Sequence, residues 1–555
     1  MTFDGKARRG PLLLVALVSA PLAAEECLLQ FERVSEDLGF VHDTGAQGEK
    51  HLPESMGAGA AWLDVDGDGW LDAFLVQSGG LPAQRASSGL LLRNHSGRLL
   101  PETAVKGPYR RFYGQGALAF DADGDGDLDL HLTGYGGHGL ALNEGGRLGD
   151  LLQLPGSGAL DWTTSAAAGD LDGDGDVDLY VARYLEYALD HGLRCEEMVG
   201  PQEERGREFC DPSLFPAQPD LILLREDGSY RAVESRVFGE PAASDPSYEW
   251  TVVEAGKGLG VDIADLDGDG RADVYVANDL TPNHLLVGRA EGLEDLSLLS
   301  GVAVNADGKS EAGMGVAVLD SDGDGDADLA VTNFDVETNT LYRNDGALFF
   351  SDVAASSGFG LPSFNLLGFG MVARDFDLDG AVDVYVANGH IFEKPARDNV
   401  SYAQSDLLLR GDGRGRFRAE DCAPAEPRVS RGLAAADVDH DGDFDLLVAN
   451  NADRPDLLRN LTDPSPERWI GVELIGRAPN TQALGAVVRL RSEDGLQTAG
   501  VTGGGSYLSS HDRRVSFAAP AEGGVQLEVL WPGGQRQVWR EPPRGGYLRI
   551  VQGGS

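Results

Sequence analysis

Asp64, Asp66, Asp68, Gly69, Trp70 and Asp72 place carboxylates at positions 1, 3, 5 and 9 of one short segment, and the pattern D-x-D-x-D-G-x-x-D recurs seven times in the chain. The main-chain carbonyl of position 7 can add a further oxygen, and glycine at position 6 permits the sharp turn that closes such a loop. An all-oxygen, charge-rich cage suits calcium, whereas zinc or copper would call for His or Cys at ligand positions. The first set of candidate ligands is thus Asp64, Asp66, Asp68, Asp72 and the carbonyl of Trp70. The second and third are Asp121, Asp123, Asp125, Asp127 and Asp129, then Asp170, Asp172, Asp174, Asp176 and Asp178. The fourth is Asp265, Asp267, Asp269, Arg271 and Asp273, and the fifth Asp320, Asp322, Asp324, Asp326 and Asp328. Asp375, Asp377, Asp379, Ala381 and Asp383 form the sixth, and Asp437, Asp439, Asp441, Asp443 and Asp445 the seventh. Asp and Gly are also ordinary turn residues, so one copy alone would be weak evidence; seven copies in phase with the surrounding hydrophobic pattern predict up to seven bound Ca2+ ions.

The elements that must position these loops are legible in the flanks. Gly59, Gly116, Gly260, Gly315, Gly370 and Gly432 each lie five residues before a loop, inside strand-like runs. Five of them have a second glycine two residues earlier, and the third loop has Ser165 instead. Glycine weakens a strand, so its recurrence predicts close backbone approach, as where innermost strands crowd an axis. After each loop comes a short apolar strand such as Val274-Tyr275-Val276-Ala277 or Val384-Tyr385-Val386-Ala387, then a third and, in complete copies, a fourth. Loops recurring at intervals of about 50 to 60 residues, apart from the longer interval between Asp170 and Asp265, fit propeller blades. The seventh copy stops after its third strand at Asn460, while Gln30-Phe31-Glu32-Arg33-Val34 near the other end has the fourth-strand pattern. The expectation is an all-β, seven-bladed β-propeller closed by the N-terminal strand, which would remove an exposed sheet edge.

Composition bounds the function. A formal charge of −45 argues against nucleic acid and against attraction to an anionic membrane surface. Seven divalent ions would return about +14, leaving about −31 as solvated surface. Residues 1–24 read as a secretory signal, with Lys6, Arg8 and Arg9 ahead of an apolar stretch too short to span a bilayer. The expected localisation is secreted, extracellular or periplasmic, where millimolar calcium would fill loops of modest affinity. Four cysteines can then form two disulfides. Cys195 and Cys210, close together in one long insertion, are the first pair expected, and Cys27 with Cys422 follows by exclusion. Residues 25–462 are assigned to the propeller. Residues 463–555 are assigned to a small antiparallel β domain expected to pack on its rim.

The loops and their flanks resemble the FG-GAP or VCBS repeat family, the calcium-loop propellers typified by the integrin α-subunit head. Arg468-Trp469-Ile470-Gly471-Val472-Glu473-Leu474, Leu484-Gly485-Ala486-Val487-Val488, Gly503-Gly504-Gly505-Ser506-Tyr507-Leu508-Ser509-Ser510 and Leu530-Trp531-Pro532-Gly533-Gly534 resemble the ASPIC/UnbV domain. Together the two parts are similar to the cartilage acidic protein 1-like family, as are the cysteine-bearing insertion and Asn388-Gly389-His390. The resemblance implies a secreted calcium-binding protein associated with adhesion or matrix contact.

Catalytic motifs are missing from the sequence: there is no G-x-S-x-G, H-E-x-x-H, phosphate-binding glycine loop or C-x-x-C. Loop aspartates engaged as calcium ligands would be unavailable as general acids. His390 reads as a packing or surface histidine, Tyr180, Tyr184 and Tyr187 as gap fillers between blades or a recognition patch, and His511 has no evident partner. The function expected is therefore an extracellular adhesion or binding module for a protein or glycan, not an enzyme, with calcium structural. A glycan-specific lectin is the alternative, and an enzyme with its site at the propeller axis a more distant one.

Overall fold

The structure is a computed structural model that describes residues 29–554 apart from 35–37, 82–88, 103–112, 194, 200–203, 235, 239–249, 253, 291, 396–398, 421–425 and 463–464. Cys27, Cys422 and the candidate signal at 1–24 lie outside the described residues.

Each aspartate loop joins the first two strands of an antiparallel sheet, and each of these sheets has four strands. In the first sheet these are Ala60–Leu63, Asp72–Leu75, Leu90–Asn94 and Leu99–Pro101, in that spatial order. The same order of successive strands repeats in the next five sheets, whose first strands are Tyr113–Phe120, Thr163–Gly169, Gly258–Ala264, Val316–Leu319 and Gly368–Arg374. The seventh takes Ser430–Ala436, Asp445–Asn450 and Asp456–Asn460 from one end of the chain and Phe31–Arg33 from the other. Phe31 pairs with Asn460 and Arg33 with Leu458. The Phe31 ring sits edge-on to Phe376 and Tyr385, with centroids 5.4 and 5.6 Å away, so the N-terminal strand is fixed by packing as well as pairing.

First strands of successive sheets touch, and that of the seventh touches that of the first, so the sheets close into the ring of a β-propeller. The glycine repeat is explained there. A β-carbon on Gly260 would stand 2.0 Å from the Met314 carbonyl oxygen, and one on Gly315 2.1 Å from that of Phe369. Any larger residue would force neighbouring inner strands apart. Apolar side chains fill the space between sheets; Leu433, Leu446 and Leu458 of the seventh meet Val372, Phe376 and Tyr385 of the sixth in one such layer. Burial of this kind contributes about 25 cal/mol per Å² of apolar surface removed from water.

Residues beyond 465 form two further sheets: Val515–Ala518, Trp469–Ile475 and Tyr547–Val551 in one, and Leu496–Gly500, Val487–Arg491, Gln526–Leu530 and Arg536–Arg540 in the other. The expectation of a purely antiparallel unit needs correction, because Trp469–Ile475 and Tyr547–Val551 run parallel. Rim packing is corrected too. The unit lies over the aspartate loops and sends its glycine-rich segment, residues 503–512, into the axis of the ring. There Gly503 N–H donates to Ile263 O (2.9 Å), Ser506 N–H to Val316 O (2.6 Å) and Ser510 N–H to Ala60 O (2.9 Å). Ala117 N–H donates to Leu508 O (3.0 Å) and Asp512 N–H to Ala435 O (2.9 Å). Ser165 Oγ accepts from Leu508 N–H and Ser506 Oγ from Met371 N–H, so the segment bonds to the first strand of every one of the seven sheets. Glycine is required for entry: a β-carbon on Gly503 would lie 1.7 Å from Ala168 O.

Candidate metal centres

The turn residues of each loop are held by its own carboxylates. In the first loop, Asp64 accepts the backbone N–H of Gly67 (2.9 Å) and Gly69 (2.8 Å), which wraps the chain around the position-1 side chain. Gly69 has φ +90, a value that favours glycine at position 6. The position-5 carboxylate accepts the N–H of position 7 in all seven loops, from Trp70, Asp127, Asp176, Arg271, Asp326, Ala381 and Asp443.

Position 9 has a second task that spacing alone did not reveal. Asp72, Asp129, Asp178, Asp273, Asp328, Asp383 and Asp445 are all buried, and each accepts through Oδ1 the backbone N–H of a residue in the third strand or, for Asp129, of Asn143 just past it. In the first six sheets the other oxygen accepts the N–H of loop position 2. The residue therefore staples the loop to the sheet behind it.

Positions 1, 3 and 9 bring carboxylate oxygens within 4.8 Å of one another in the first three loops, and positions 1, 3 and 5 do so in the fourth and fifth. Burial, with the neighbouring carboxylates adding to it, pushes Asp178 and Asp273 up to about 8 and Asp383 and Asp443 up to about 9. Asp443 is 1 % exposed and neither of its oxygens has a hydrogen-bond partner; Asp265 Oδ1, Asp322 Oδ1 and Asp377 Oδ1 are likewise buried without one. Hard oxygen donors crowded in this way, with orphaned acceptors, fit a hard divalent cation.

Third-strand arginines were missed in the sequence. Arg93 Nη1 lies 2.7 Å from Asp72 Oδ2 and 3.5 Å from Asp66 Oδ2, Arg410 Nη2 2.8 Å from Asp377 Oδ2, and Arg459 Nη1 3.0 Å from Asp439 Oδ2. The signal was a recurring Arg directly before the third-strand residue that the position-9 aspartate binds. His440, inside the seventh loop, points away from it: its ring stacks on Trp70 of the first loop, 4.1 Å and 3° apart, and its Nε2 meets Arg514.

The C-terminal unit contacts several loops directly. Tyr547 Oη donates to Asp437 Oδ2 (2.8 Å), Thr481 Oγ1 donates to Asp121 Oδ2, and Gly533 N–H donates to Gly270 O (3.2 Å). The Trp469 indole covers Gly442, where a β-carbon would stand 2.3 Å from the ring.

Other sequence candidates fall away from the loops. His390 is buried and faces Asp335 at 3.5 Å, with Nδ1 accepting Phe392 N–H. Tyr180, Tyr184 and Tyr187 are all buried, which makes them packing residues rather than an open patch. His511 has a partner in the axis, accepting Ala435 N–H through Nδ1. Cys195 and Cys210 form a disulfide within the insertion of the third sheet.

A model described as FG-GAP-like repeat matches residues 121–181 and 265–331, and one described as ASPIC and UnbV matches residues 476–555. Cartilage acidic protein 1 of Mus musculus is 31% identical over 209 residues, covering 36% of this chain and 30% of that protein. The Homo sapiens protein of the same name is 28% identical over 210 residues, covering 36% and 29%. The aligned part of the chain thus spans less than a third of these relatives' length. Among solved structures, an Agrocybe aegerita lectin that recognises non-reducing terminal N-acetylglucosamine is 15% identical, with a TM-score of 0.41 over 73% of this chain and 94% of that one. The Vibrio cholerae biofilm matrix protein Bap1 is 13% identical, with a TM-score of 0.35 over 79% and 93%. The chain thus combines FG-GAP-like repeats with an ASPIC and UnbV domain, and is similar over about a third of its length to cartilage acidic protein 1.

Proposed function

We propose that this protein is a secreted, calcium-stabilised β-propeller that acts as an extracellular binding module for a protein or glycan, with residues 25–462 as the propeller and 463–555 as the appended domain. Calcium is structural in this reading. The observation that carries it is the position-9 aspartate, whose carboxylate accepts an N–H in or just past the third strand in all seven repeats and, in six of them, also the N–H of loop position 2. An ion held by positions 1, 3, 5, the position-7 carbonyl and 9 would tie the turn to the sheet and relieve the crowding of the carboxylates. The protein is not an enzyme in this reading, and the loop aspartates, committed to the ion, are unavailable as general acids. The disulfide suits an oxidising compartment. Recognition falls to the face opposite the loops, because the C-terminal unit covers part of the loop face.

Chelation tests the reading. Ions that bind only the folded chain stabilise it by about 1.4 kcal/mol per site at tenfold excess over Kd, so seven sites together far exceed the effect of any one. The melting temperature should fall steeply in a chelator and return on adding millimolar calcium but not magnesium. An unchanged melting curve would refute the calcium assignment.

A further inference from the structure

The seventh aspartate loop is enclosed in a way the other six are not. Its position-5 residue, Asp441, is half-buried, whereas Asp68, Asp125, Asp174, Asp269, Asp324 and Asp379 at the same position are all exposed. Position 7 differs more. Asp443 is 1 % exposed, while Asp127 and Asp176 are half-buried and Asp326 is exposed. Both Asp443 oxygens lack a hydrogen-bond donor, and the carboxylates of Asp441, Asp445, Asp437 and Asp439 all press on it electrostatically, Asp441 most and from alongside. An unpaired, buried carboxylate thus stands among the four others of its loop.

Three parts of the chain build the enclosure, and they meet only in the closed ring. From the C-terminal unit, Tyr547 Oη donates to Asp437 Oδ2 (2.8 Å), Arg514 Nη2 donates to Asp437 O (2.9 Å), and the Trp469 indole lies over Gly442. The Arg514 guanidinium stacks on Tyr547 at 4.4 Å and pairs with Asp512 at 2.7 Å, which offsets its charge. From the first sheet, Trp70 stacks on His440 and Asn94 Nδ2 donates to Val438 O (2.9 Å). Gly97 packs on Asp439, where an added β-carbon would stand 2.8 Å from that of the aspartate. From the seventh sheet itself, Arg459 Nη1 lies 3.0 Å from Asp439, the loop's one exposed carboxylate. Five carboxylates therefore face one guanidinium whose charge is not offset elsewhere, behind a cover of protein, and a hard divalent cation suits what remains.

We propose that the seventh loop takes up its cation before the C-terminal unit docks and then traps it, while the other six loops exchange theirs with solvent. This rests on the calcium reading for the presence of an ion, and adds a difference between loops that the reading does not contain. Exit requires the C-terminal unit or the first sheet to lift away, and the axial segment bonds that unit to every sheet of the ring. Tyr547 and Arg514 are positioning residues here, since both hold the unit to Asp437. Each of their two bonds involves a charged group, and at about tenfold in rate for each one broken, exchange from this loop is slower by about a hundredfold.

The test is isotope exchange on the full chain, which keeps every loop filled throughout. Calcium-loaded protein is dialysed into saturating radioactive calcium, and bound label is followed against total bound calcium from elemental analysis. Label should fall one ion per chain short of the total in a fast phase, and the last ion should exchange about a hundredfold more slowly. Tyr547→Phe removes only the hydroxyl on Asp437 and should speed the slow phase about tenfold, leaving the fast phase unchanged. Asp443→Asn removes a charge from the enclosed set and should speed the slow phase as well. Either variant suffices should the other fail to fold. The proposal is overturned if all label enters in one phase, if several ions share the slow phase, or if a folded variant exchanges like the parent. Those results leave the calcium reading standing, whereas a chain that neither carries nor takes up calcium overturns both.

Discussion

Truncating Ser506 to alanine should destabilise the whole molecule out of proportion to the single oxygen removed. Ser506 is fully buried in the axis, where its hydroxyl donates to Leu433 O (2.7 Å) and accepts Met371 N–H (3.2 Å). Ser506→Ala leaves a carbonyl of the seventh sheet and an amide of the sixth without partners where water has no access. At about 1 to 3 kcal/mol for each of the two groups so stranded, the loss is about 2 to 6 kcal/mol. The backbone bonds of residue 506 to Val316 survive, so the segment still enters the axis and the cost isolates the hydroxyl. Urea unfolding should show a lower midpoint at unchanged slope. Ser465→Ala, at an exposed position with no side-chain cap bond, should shift stability by less than about 0.5 kcal/mol. Hydrogen exchange gives the sharper readout, since the amides of 368–374 should exchange faster in Ser506→Ala. A loss below about 0.5 kcal/mol, or unchanged exchange in that strand, would refute the argument that the axial segment bonds the sheets together.

Two further outcomes follow from the same framework. Phe31→Ala removes the ring packed on Phe376 and Tyr385, should cost about 3 to 5 kcal/mol, and should promote self-association through the freed edge of Asp456–Asn460; urea denaturation and light scattering check both, and a loss under about 1 kcal/mol would count against closure by that strand. Burial raises Glu54 from 4.5 to about 7, so its contribution is intact below pH 4.5 and is lost as pH rises through 7. Glu54→Gln should therefore gain stability relative to the parent between pH 5 and 8, by up to about 3 kcal/mol, and parallel melting temperatures across that range would contradict it.

Repetition explains what was legible from residues alone. Asp, Gly and apolar strands recurring in fixed phase expose the sheets, the loops and the lone N-terminal strand, because one physical unit is specified many times. Asn460 and Phe31 could be joined by asking which sheet lacked an edge. The axial segment was illegible for the opposite reason. Residues 503–512 occur once, and a glycine-rich run signals loop or close approach without naming what approaches. His511 seemed partnerless because its partner, Ala435 N–H, lies 76 residues away in sequence. The position-9 aspartates were read as ligands only, since a bond to a third-strand amide leaves no trace in spacing.

Closure by both ends of the chain also sets a timetable. Phe31–Arg33 leaves the ribosome early, yet its only strand neighbour among the described residues, Asp456–Asn460, emerges more than four hundred residues later. Until then every sheet already made belongs to an open arc, and the axial segment that joins all seven arrives later still. Nascent chains of this protein must therefore carry an unpaired edge from the synthesis of Arg33 until that of Asn460, which makes that interval the one in which a holdase has the most to protect.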